Sequence, residues 1–136
     1  TIGTMSKVVV ISGAAQGIGK EVVKQLVAAG HKVVFFDVAI DAGKATEAEI
    51  GGKNNAARNC KFIHGDVTKE EDWEKVMIAA KEAYGGVDAL INNAGWIGPT
   101  KSQDPALVNH ADFMRCLDIN VGGVQLGIAA VIPFFA

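Results

Sequence analysis

Residues 8–19 have the sequence VVVISGAAQGIG, in which an apolar run leads into three glycines. The run is apolar on both faces, which is typical of a buried parallel strand. After Gly17 the apolar residues Ile18, Val22 and Leu26 follow at helical spacing. The glycines therefore lie where a strand turns into a helix, and the unpaired N–H groups at that helix start favour a bound phosphate. Taken alone, the pattern also fits a strand-to-helix turn with no ligand.

The position of Asp37 points to a specific ligand for this turn. Asp37 ends a second apolar strand, Lys32–Phe36, and lies 18 residues after Gly19. The acid that binds ribose in dinucleotide sites follows the glycines by about 20 residues. We therefore expect Asp37 to accept hydrogen bonds from both ribose hydroxyls and to repel the extra phosphate of NADP, so that the site favours NAD. A helix or turn cap is the alternative role for this residue.

Composition limits the class of protein. A chain of 136 residues is long enough for one domain with a core. Its 49% hydrophobic and 21% charged residues indicate a globular protein rather than a disordered one. The net charge of −2, without a basic run, argues against nucleic acid and membrane surfaces as partners. The apolar stretches near the N-terminus are too short to span a bilayer, and no signal-peptide pattern precedes them.

Two further predictions concern the cysteines and the N-terminus. Cys60 and Cys116 lack metal-ligand spacing, so we expect two reduced, partly buried thiols in a cytoplasmic protein and no metal site. Residues 1–5 are interpreted as a tag remnant or an extension, because Met5 is preceded by four residues. Residues 6–136 then form one dinucleotide-binding portion.

The rest of the chain alternates helix and strand patterns. We predict helices at 17–29 and 41–50, strands at 60–65 and 87–91, and a mostly helical segment over 106–136 with a break near Asp112, which could cap its second part. Thr68 and Glu71 have the spacing of a capping box. The helix after them is expected to bury one apolar face made of Trp73, Val76, Met77, Ala80 and Tyr84.

Polar residues at two further places are candidates for a site. Asn92-Asn93-Ala94-Gly95 follows a strand at the sheet edge where α/β proteins bind ligands, although a plain polar turn has the same composition. Asn120 interrupts an apolar stripe, and an amide there must find partners, so it is either a structural hydrogen bonder or a site residue. Gly122-Gly123 beside it indicates close packing or a kink. The stripe consists of Phe113, Leu117, Val121, Val124, Ile128 and Val131.

Together these motifs resemble the short-chain dehydrogenase/reductase family. Residues 12–19 are similar to its Thr-Gly-x-x-x-Gly-x-Gly turn, with Ser12 in place of the usual Thr. Asn92–Gly95 matches the Asn-Asn-Ala-Gly motif in full. The remaining matches are Asp37 with the NAD-selecting acid, Gln16 where NADP-using members often carry a basic residue, Asp66-Val67 with the pair that contacts adenine, and Asn120 with the asparagine of the proton relay.

The resemblance implies a fold, a cofactor and an activity. The implied fold is an α/β Rossmann-like, doubly wound parallel sheet, incomplete at about four strands in the order 3-2-1-4. The implied cofactor is NAD, the substrate a small alcohol or ketone, and the assembly a homo-oligomer. Asn120 is implied to act in catalysis. The residues implied to bind the cofactor are Gly13, Gln16, Gly17, Ile18, Gly19, Asp37, Val38, Asp66, Val67, Asn93, Ala94 and Gly95.

One part of the family pattern has no match in these residues. The family's chemistry uses a serine, a tyrosine and a lysine four residues after that tyrosine, whereas Tyr84 is followed at that distance by Asp88. We expect these groups beyond residue 136, which would leave strand 87–91 with an open apolar edge and the last helix with an exposed stripe. The chain is then the NAD-binding part of a dehydrogenase. The alternatives are a non-catalytic dinucleotide-binding or oligomerising module and, third, a carrier of lipid- or steroid-like ligands.

Overall fold

The structure is a computed structural model that describes residues 5–51, 59–99 and 104–135. Of the predicted tag remnant or extension at residues 1–5, only Met5 falls among these residues, and it is exposed. Residues 1–4 of the predicted extension lie outside the described residues.

Strands and helices alternate along the chain. The first part runs through β1 (Val8–Ser12), α1 (Gly17–Ala28), β2 (Lys32–Asp37), α2 (Ile40–Gly51), β3 (Cys60–His64), α3 (Glu70–Tyr84) and β4 (Ala89–Ile91). A short 3-10 turn at Pro105–Leu107 then precedes a continuous helical run. That run consists of α4 (His110–Leu117), a π turn (Asp118–Gly122), α5 (Gly123–Val131) and a final 3-10 turn (Ile132–Phe134).

The sheet is parallel and has the predicted order. Its strands follow one another as β3-β2-β1-β4, with Val10 of β1 opposite Val34 of β2 and Leu90 of β4. All five residues of β1 are buried, which explains why its sequence is apolar on both faces. The structure thus confirms the α/β, Rossmann-like, doubly wound sheet.

Helices cover both faces of this sheet. On one face, Trp73 of α3 packs edge-on against Phe36 of β2, with 4.7 Å between the ring centroids. On the other face, Val23 of α1 lies in a second buried cluster with Phe35. The predicted buried face of α3 is confirmed, since Trp73, Val76, Met77 and Ala80 are buried and Tyr84 is half-buried against the same cluster.

Two predicted helix caps are wrong. Thr68 does not cap α3, because its N–H and Oγ1 both donate to Asp66 Oδ1, at 2.9 and 2.7 Å, and the helix begins only at Glu70. Asp112 does not cap the last helix either. Asn109 does so instead: its Oδ1 accepts from the N–H of Ala111 at 2.8 Å. Both errors arise because a short polar side chain has several possible local hydrogen-bond partners, and spacing alone does not decide among them.

Close packing accounts for the glycines of the last helix. A Cβ on Gly123 would lie 2.7 Å from Val67 Cγ2, which confirms the predicted close approach. A Cβ on Gly127 would lie 2.7 Å from both Asn92 Oδ1 and the Trp73 ring. The π turn at Asp118–Gly122 directly precedes these contacts. The glycines therefore let α5 approach α3 and the end of β4.

The opposite face of this helical run is apolar and exposed. Phe113 is 50% exposed, Val121 61% and Ile128 52%, whereas Val131 is buried. By length and composition alone, the run His110–Phe134 could also cross a membrane, with a mean hydropathy of 1.5 and 17% of that window buried. A helix that packs in a soluble protein passes the same test, so this is weak evidence. The predicted exposed stripe is confirmed for most of its residues.

The edge of β4 is only partly open. Val87 lies just before the strand and forms an isolated parallel bridge with Phe135, where the N–H of Val87 donates to the carbonyl of Phe134 at 3.1 Å. Ala89–Ile91 pairs with β1 alone among the strands that the structure describes. The predicted open edge is therefore present along Ala89–Ile91 but not at Val87.

Replacing Gly127 by Ala is expected to destabilise the fold. The added Cβ would press on the Trp73 ring, which is fully buried and held by a hydrogen bond from its Nε1 to the Val67 carbonyl at 2.9 Å. Overpacking of this kind costs about 1–3 kcal/mol, more than the helix propensity gained from Gly to Ala. Urea unfolding measures the difference. Gly122→Ala is the control, because its nearest neighbour would be 3.9 Å away, and it should be neutral or stabilising. Equal stability of the two variants would contradict this packing.

Candidate functional site

The glycine turn brings the carboxyl ends of β1 and β4 into contact. Gly13 has φ +66°, and a Cβ there would lie 2.6 Å from Ala94 Cα. A side chain at position 13 is therefore excluded by both conformation and space. Gly19 is equally confined, since its Cβ would lie 2.5 Å from Asn93 Nδ2. These glycines fix the turn against residues 93–94.

Ser12 and Asn93 join the two strand ends through polar contacts. The buried Ser12 Oγ accepts from the N–H groups of Asn93 and Ala94, both at 3.1 Å. Asn93 Nδ2 donates to the carbonyls of Ser12 at 3.1 Å and Gly13 at 2.8 Å. The hydroxyl of Ser12 thus satisfies buried backbone donors that an apolar residue would leave unpaired.

Asp37 and Thr46 hold the middle of the glycine turn. Asp37 Oδ2 accepts from the N–H of Ala15 at 3.1 Å, and its Oδ1 accepts from the N–H of Ala39 at 3.0 Å. Thr46 of α2 is buried, and its Oγ1 donates to the carbonyl of Ala15 at 2.7 Å. Asp37 does act as the turn cap that the sequence left open, and it does so from the edge of the cavity described below.

Asp66 is fixed just beyond β3. Its Oδ1 holds Thr68, and its N–H donates to Asp72 Oδ2 at 2.9 Å. Partial burial acts to raise the pKa of Asp72, but hydrogen bonds from Lys75 and from the Asp66 N–H outweigh it and hold that pKa below its usual value. A charged Asp72 therefore helps to fix the backbone of Asp66 at neutral pH.

These groups surround one cavity of about 650 Å³ at the carboxyl ends of the strands. Of the residues predicted to bind a cofactor, all but Gly17 line it; Gly17 lies in the turn itself, with φ +62°. Asn120 does not line it. Residues that the sequence did not assign to the cofactor site also line the cavity: Phe36, Ala39, Gly65, Thr68, Arg115, Asp118 and Ile119. Trp96, which on the sequence alone could either border the pocket or cover the core, lines it as well.

Asn120 clamps the backbone of Trp96. Its Oδ1 accepts from the N–H of Trp96 at 2.7 Å, and its Nδ2 donates to the carbonyl at 2.8 Å. Cys116 Sγ donates to the same carbonyl at 2.8 Å. The amide within the apolar stripe is thus a structural hydrogen bonder in the structure, and it sets the position of the loop that follows β4.

Tyr84 is far from the cavity. Lys32 Nζ lies 5.7 Å from the centroid of its ring, and Lys32 begins β2, whereas Asp37 ends that strand about 16 Å away. Burial raises the pKa of Tyr84 to about 12, and the nearby Cys60 and Glu47 add to the rise. A raised pKa is the opposite of what a tyrosine needs for acid–base chemistry near neutral pH.

Neither metal nor disulfide chemistry is apparent in this part of the chain. In residues 5–51, 59–99 and 104–135, no group of three or more His, Cys, Asp or Glu is placed to hold a metal ion. Cys60 is a buried free thiol and Cys116 a half-buried one, as predicted.

The fold and the position of the cavity define a Rossmann-like α/β protein, and comparison with known proteins gives its family. The family model described as short chain dehydrogenase matches residues 7–136. The 3-alpha-(or 20-beta)-hydroxysteroid dehydrogenase of Mycobacterium bovis is 41% identical over 128 residues, which cover 94% of this chain and 46% of that protein. The 3-beta-hydroxysteroid dehydrogenase of Comamonas testosteroni is 39% identical, with 92% and 47% covered. The chain belongs to the short-chain dehydrogenase family.

A solved structure agrees with this assignment. The 3-ketoacyl-(acyl-carrier-protein) reductase of Brucella melitensis, complexed with NADH, matches with a TM-score of 0.84 at 36% identity. The match covers 95% of this chain and 50% of that one. The chain thus spans about half the length of the relatives that it matches.

Replacing Thr46 by Val should destabilise the glycine turn. The buried carbonyl of Ala15 would lose its donor, which costs about 1–3 kcal/mol. Thr46→Ser keeps the hydroxyl and should retain most of the stability. Urea unfolding of both variants tests this. A Val variant as stable as the Ser variant would show that the hydrogen bond contributes nothing.

The two cysteines should differ in reactivity. Burial raises the pKa of Cys60 to about 12, and Glu47 adds to the rise, so almost no reactive thiolate forms there at about pH 8. Cys116 is half-buried and reachable. Iodoacetamide should therefore modify Cys116 in the folded chain and Cys60 only after unfolding in urea, as read by peptide mass. Equal rates of labelling in the folded chain would contradict this burial.

Proposed function

We propose that the chain is the cofactor-binding part of an NAD-dependent short-chain dehydrogenase that transfers a hydride between a small alcohol or ketone and the cofactor. The observation that carries this proposal is the single cavity that joins the glycine turn, Asp37, Asp66 and residues 93–95. Each of these groups suits a different part of a dinucleotide.

The pyrophosphate is assigned to the start of α1. The N-cap residue Gln16 makes no side-chain hydrogen bond to the helix, so the first N–H groups of α1 keep their capacity for an anion. Gly13, Gly17 and Gly19 let the phosphates approach the backbone. Gln16 and Ile18 border the same space.

The adenosine ribose is assigned to Asp37. An ionised carboxylate offers about four acceptor positions, and Ala15 and Ala39 use one on each oxygen. One acceptor position therefore remains on each oxygen, enough for the two hydroxyls of the ribose. A phosphate on the 2′ oxygen would remove one hydrogen bond and add like-charge repulsion, so NAD is favoured over NADP.

The adenine is assigned to the space between Val38 and the Asp66-Val67 pair. Val38 is 59% exposed at the wall of the cavity, where an aromatic ring would cover it. Asp66 has one oxygen hydrogen-bonded to Thr68 and can accept from an exocyclic amino group through the other. The base would thus be fixed by one apolar surface and one acceptor.

Asn93, Ala94 and Gly95 are assigned to the inner side of the cofactor. When bound, its nicotinamide ring supplies or takes up the hydride. Asn120 is assigned to the proton relay of the family, and its side-chain amide is hydrogen-bonded to the Trp96 backbone. A tyrosine with a lysine four residues later would complete the site, and this sequence does not contain that pair.

The alternative is a non-catalytic dinucleotide-binding or oligomerising module. It is favoured by the position of Tyr84, the one tyrosine, whose ring is packed at the edge of the sheet opposite the cavity. The intact mass of the natural protein and the transcript beyond residue 136 separate the two proposals. A downstream Tyr-x-x-x-Lys supports the enzyme, and a stop codon supports the module.

We further propose a homo-oligomer located in the cytoplasm. The exposed apolar face of α4 and α5 supports association, since such faces mark interaction sites. The two free thiols support a reducing compartment.

NADH titration followed by energy transfer from tryptophan tests the cofactor assignment. Trp96 lines the cavity and serves as the donor. We expect saturable NADH binding, weaker NADPH binding, and a loss of about tenfold or more in NADH affinity in Asp37→Ala, because two charge-assisted hydrogen bonds are removed.

Asp41→Ala is the matched control for that titration. It removes the same charge from an exposed position on α2 and should leave the affinity unchanged. Absence of NADH binding by the wild-type chain would refute the assignment for this chain. A tighter complex with NADPH than with NADH would refute the preference for NAD.

A further inference from the structure

Arg115 is stacked on Trp96 at the wall of the cavity. Its guanidinium carbon lies 4.6 Å from the centroid of the Trp96 ring, and both side chains line the cavity. This contact with the ring uses none of the guanidinium N–H donors, and Arg115 makes no side-chain hydrogen bond among the described residues, so the donors are available to a ligand. Arg115 has no acidic partner within salt-bridge distance in the described part of the chain.

The platform under Arg115 is fixed. The backbone of Trp96 is held by three hydrogen bonds, two with Asn120 and one from Cys116, at 2.7 to 2.8 Å. Arg115 and Cys116 are neighbours on α4, so one helix supplies both the cation and part of the clamp. These hydrogen bonds fix the backbone of the residue on whose ring Arg115 lies.

The cavity wall carries more negative than positive side chains. The side chains that line the cavity include three carboxylates, Asp37, Asp66 and Asp118, and Arg115 is the one Lys or Arg among the described lining residues. A dinucleotide brings about two further negative charges into this space. The partial positive charge at the start of α1 offsets only about half an elementary charge.

We propose that Arg115, carried on the ring of Trp96, is an anion subsite that pairs with the phosphates of the bound dinucleotide. The proposal rests on the proposed function, since it assigns a further residue to the same site. The guanidinium donates in its plane to phosphate oxygens while its face stays on the ring, a geometry that Lys could not reproduce. It adds a full positive charge to a cavity wall whose other charged side chains are carboxylates.

Calorimetric titration of the chain with adenosine, ADP and NADH tests the subsite. Arg115→Gln should weaken ADP and NADH binding by about tenfold, because a charge-assisted hydrogen bond is lost. Adenosine has no phosphate, so its affinity should not change. Trp96→Leu removes the platform but keeps the cation, and it should weaken ADP by a smaller factor, about threefold.

Lys81→Gln is the control for net charge. Lys81 is exposed in the last turn of α3, and the same loss of charge there should leave ADP affinity unchanged. ADP affinity within twofold of wild type in Arg115→Gln overturns the subsite, as does an equal loss for adenosine and ADP. The proposed function survives both of those results. Failure of the wild-type chain to bind NADH and ADP overturns the proposed function and the subsite together.

Discussion

The contact between Gly13 and Ala94 is the constraint from which the site follows. These residues follow the ends of neighbouring parallel strands, and their backbones approach so closely that a Cβ at position 13 would overlap Ala94. Around this contact, Ser12 Oγ accepts from the backbone N–H groups of Asn93 and Ala94, and Asn93 Nδ2 donates to the carbonyls of Ser12 and Gly13. Because helices leave the sheet in opposite directions on either side of such a point, a crevice opens there. The cavity is therefore a consequence of sheet topology.

Much of the fold was visible in the sequence because its strongest signals are local. The apolar run of β1 and the periodic face of α3 each decide one element, and the parallel order 3-2-1-4 follows from the resemblance. The residues that cap the helix N-termini were harder to predict from the sequence. Thr68 has the right spacing to cap α3, but the carboxylate of Asp66 is nearer to its hydroxyl and takes it. Sequence spacing alone does not encode which of these local hydrogen bonds forms.

The site was predictable to the extent that it consists of turns at strand ends. Asp37, Asp66 and Asn93 could be placed because each lies at the end of a strand or within two residues of it. Arg115 could not, because it comes from α4 and meets Trp96 only in three dimensions, and for Trp96 the sequence left open whether it borders the pocket or covers the core. Thr46 was also missed: its hydroxyl reaches Ala15 across 31 residues, and a threonine in a weakly amphipathic helix gives no local signal. A buried polar side chain that hydrogen-bonds to a glycine turn, as Thr46 does, is therefore difficult to recognise from sequence.

The helical run that supplies Arg115, Cys116 and Asn120 is held by few buried side chains. No residue of α4 is buried, and those of α5 are Gly123, Gly127 and Val131. Segments with few buried contacts open locally at low free-energy cost. Any surface that covers the exposed apolar face would raise that cost and hold Trp96 and Arg115 more firmly at the cavity wall. Association at this face and binding in the cavity are then thermodynamically linked, because each stabilises the same position of one helix.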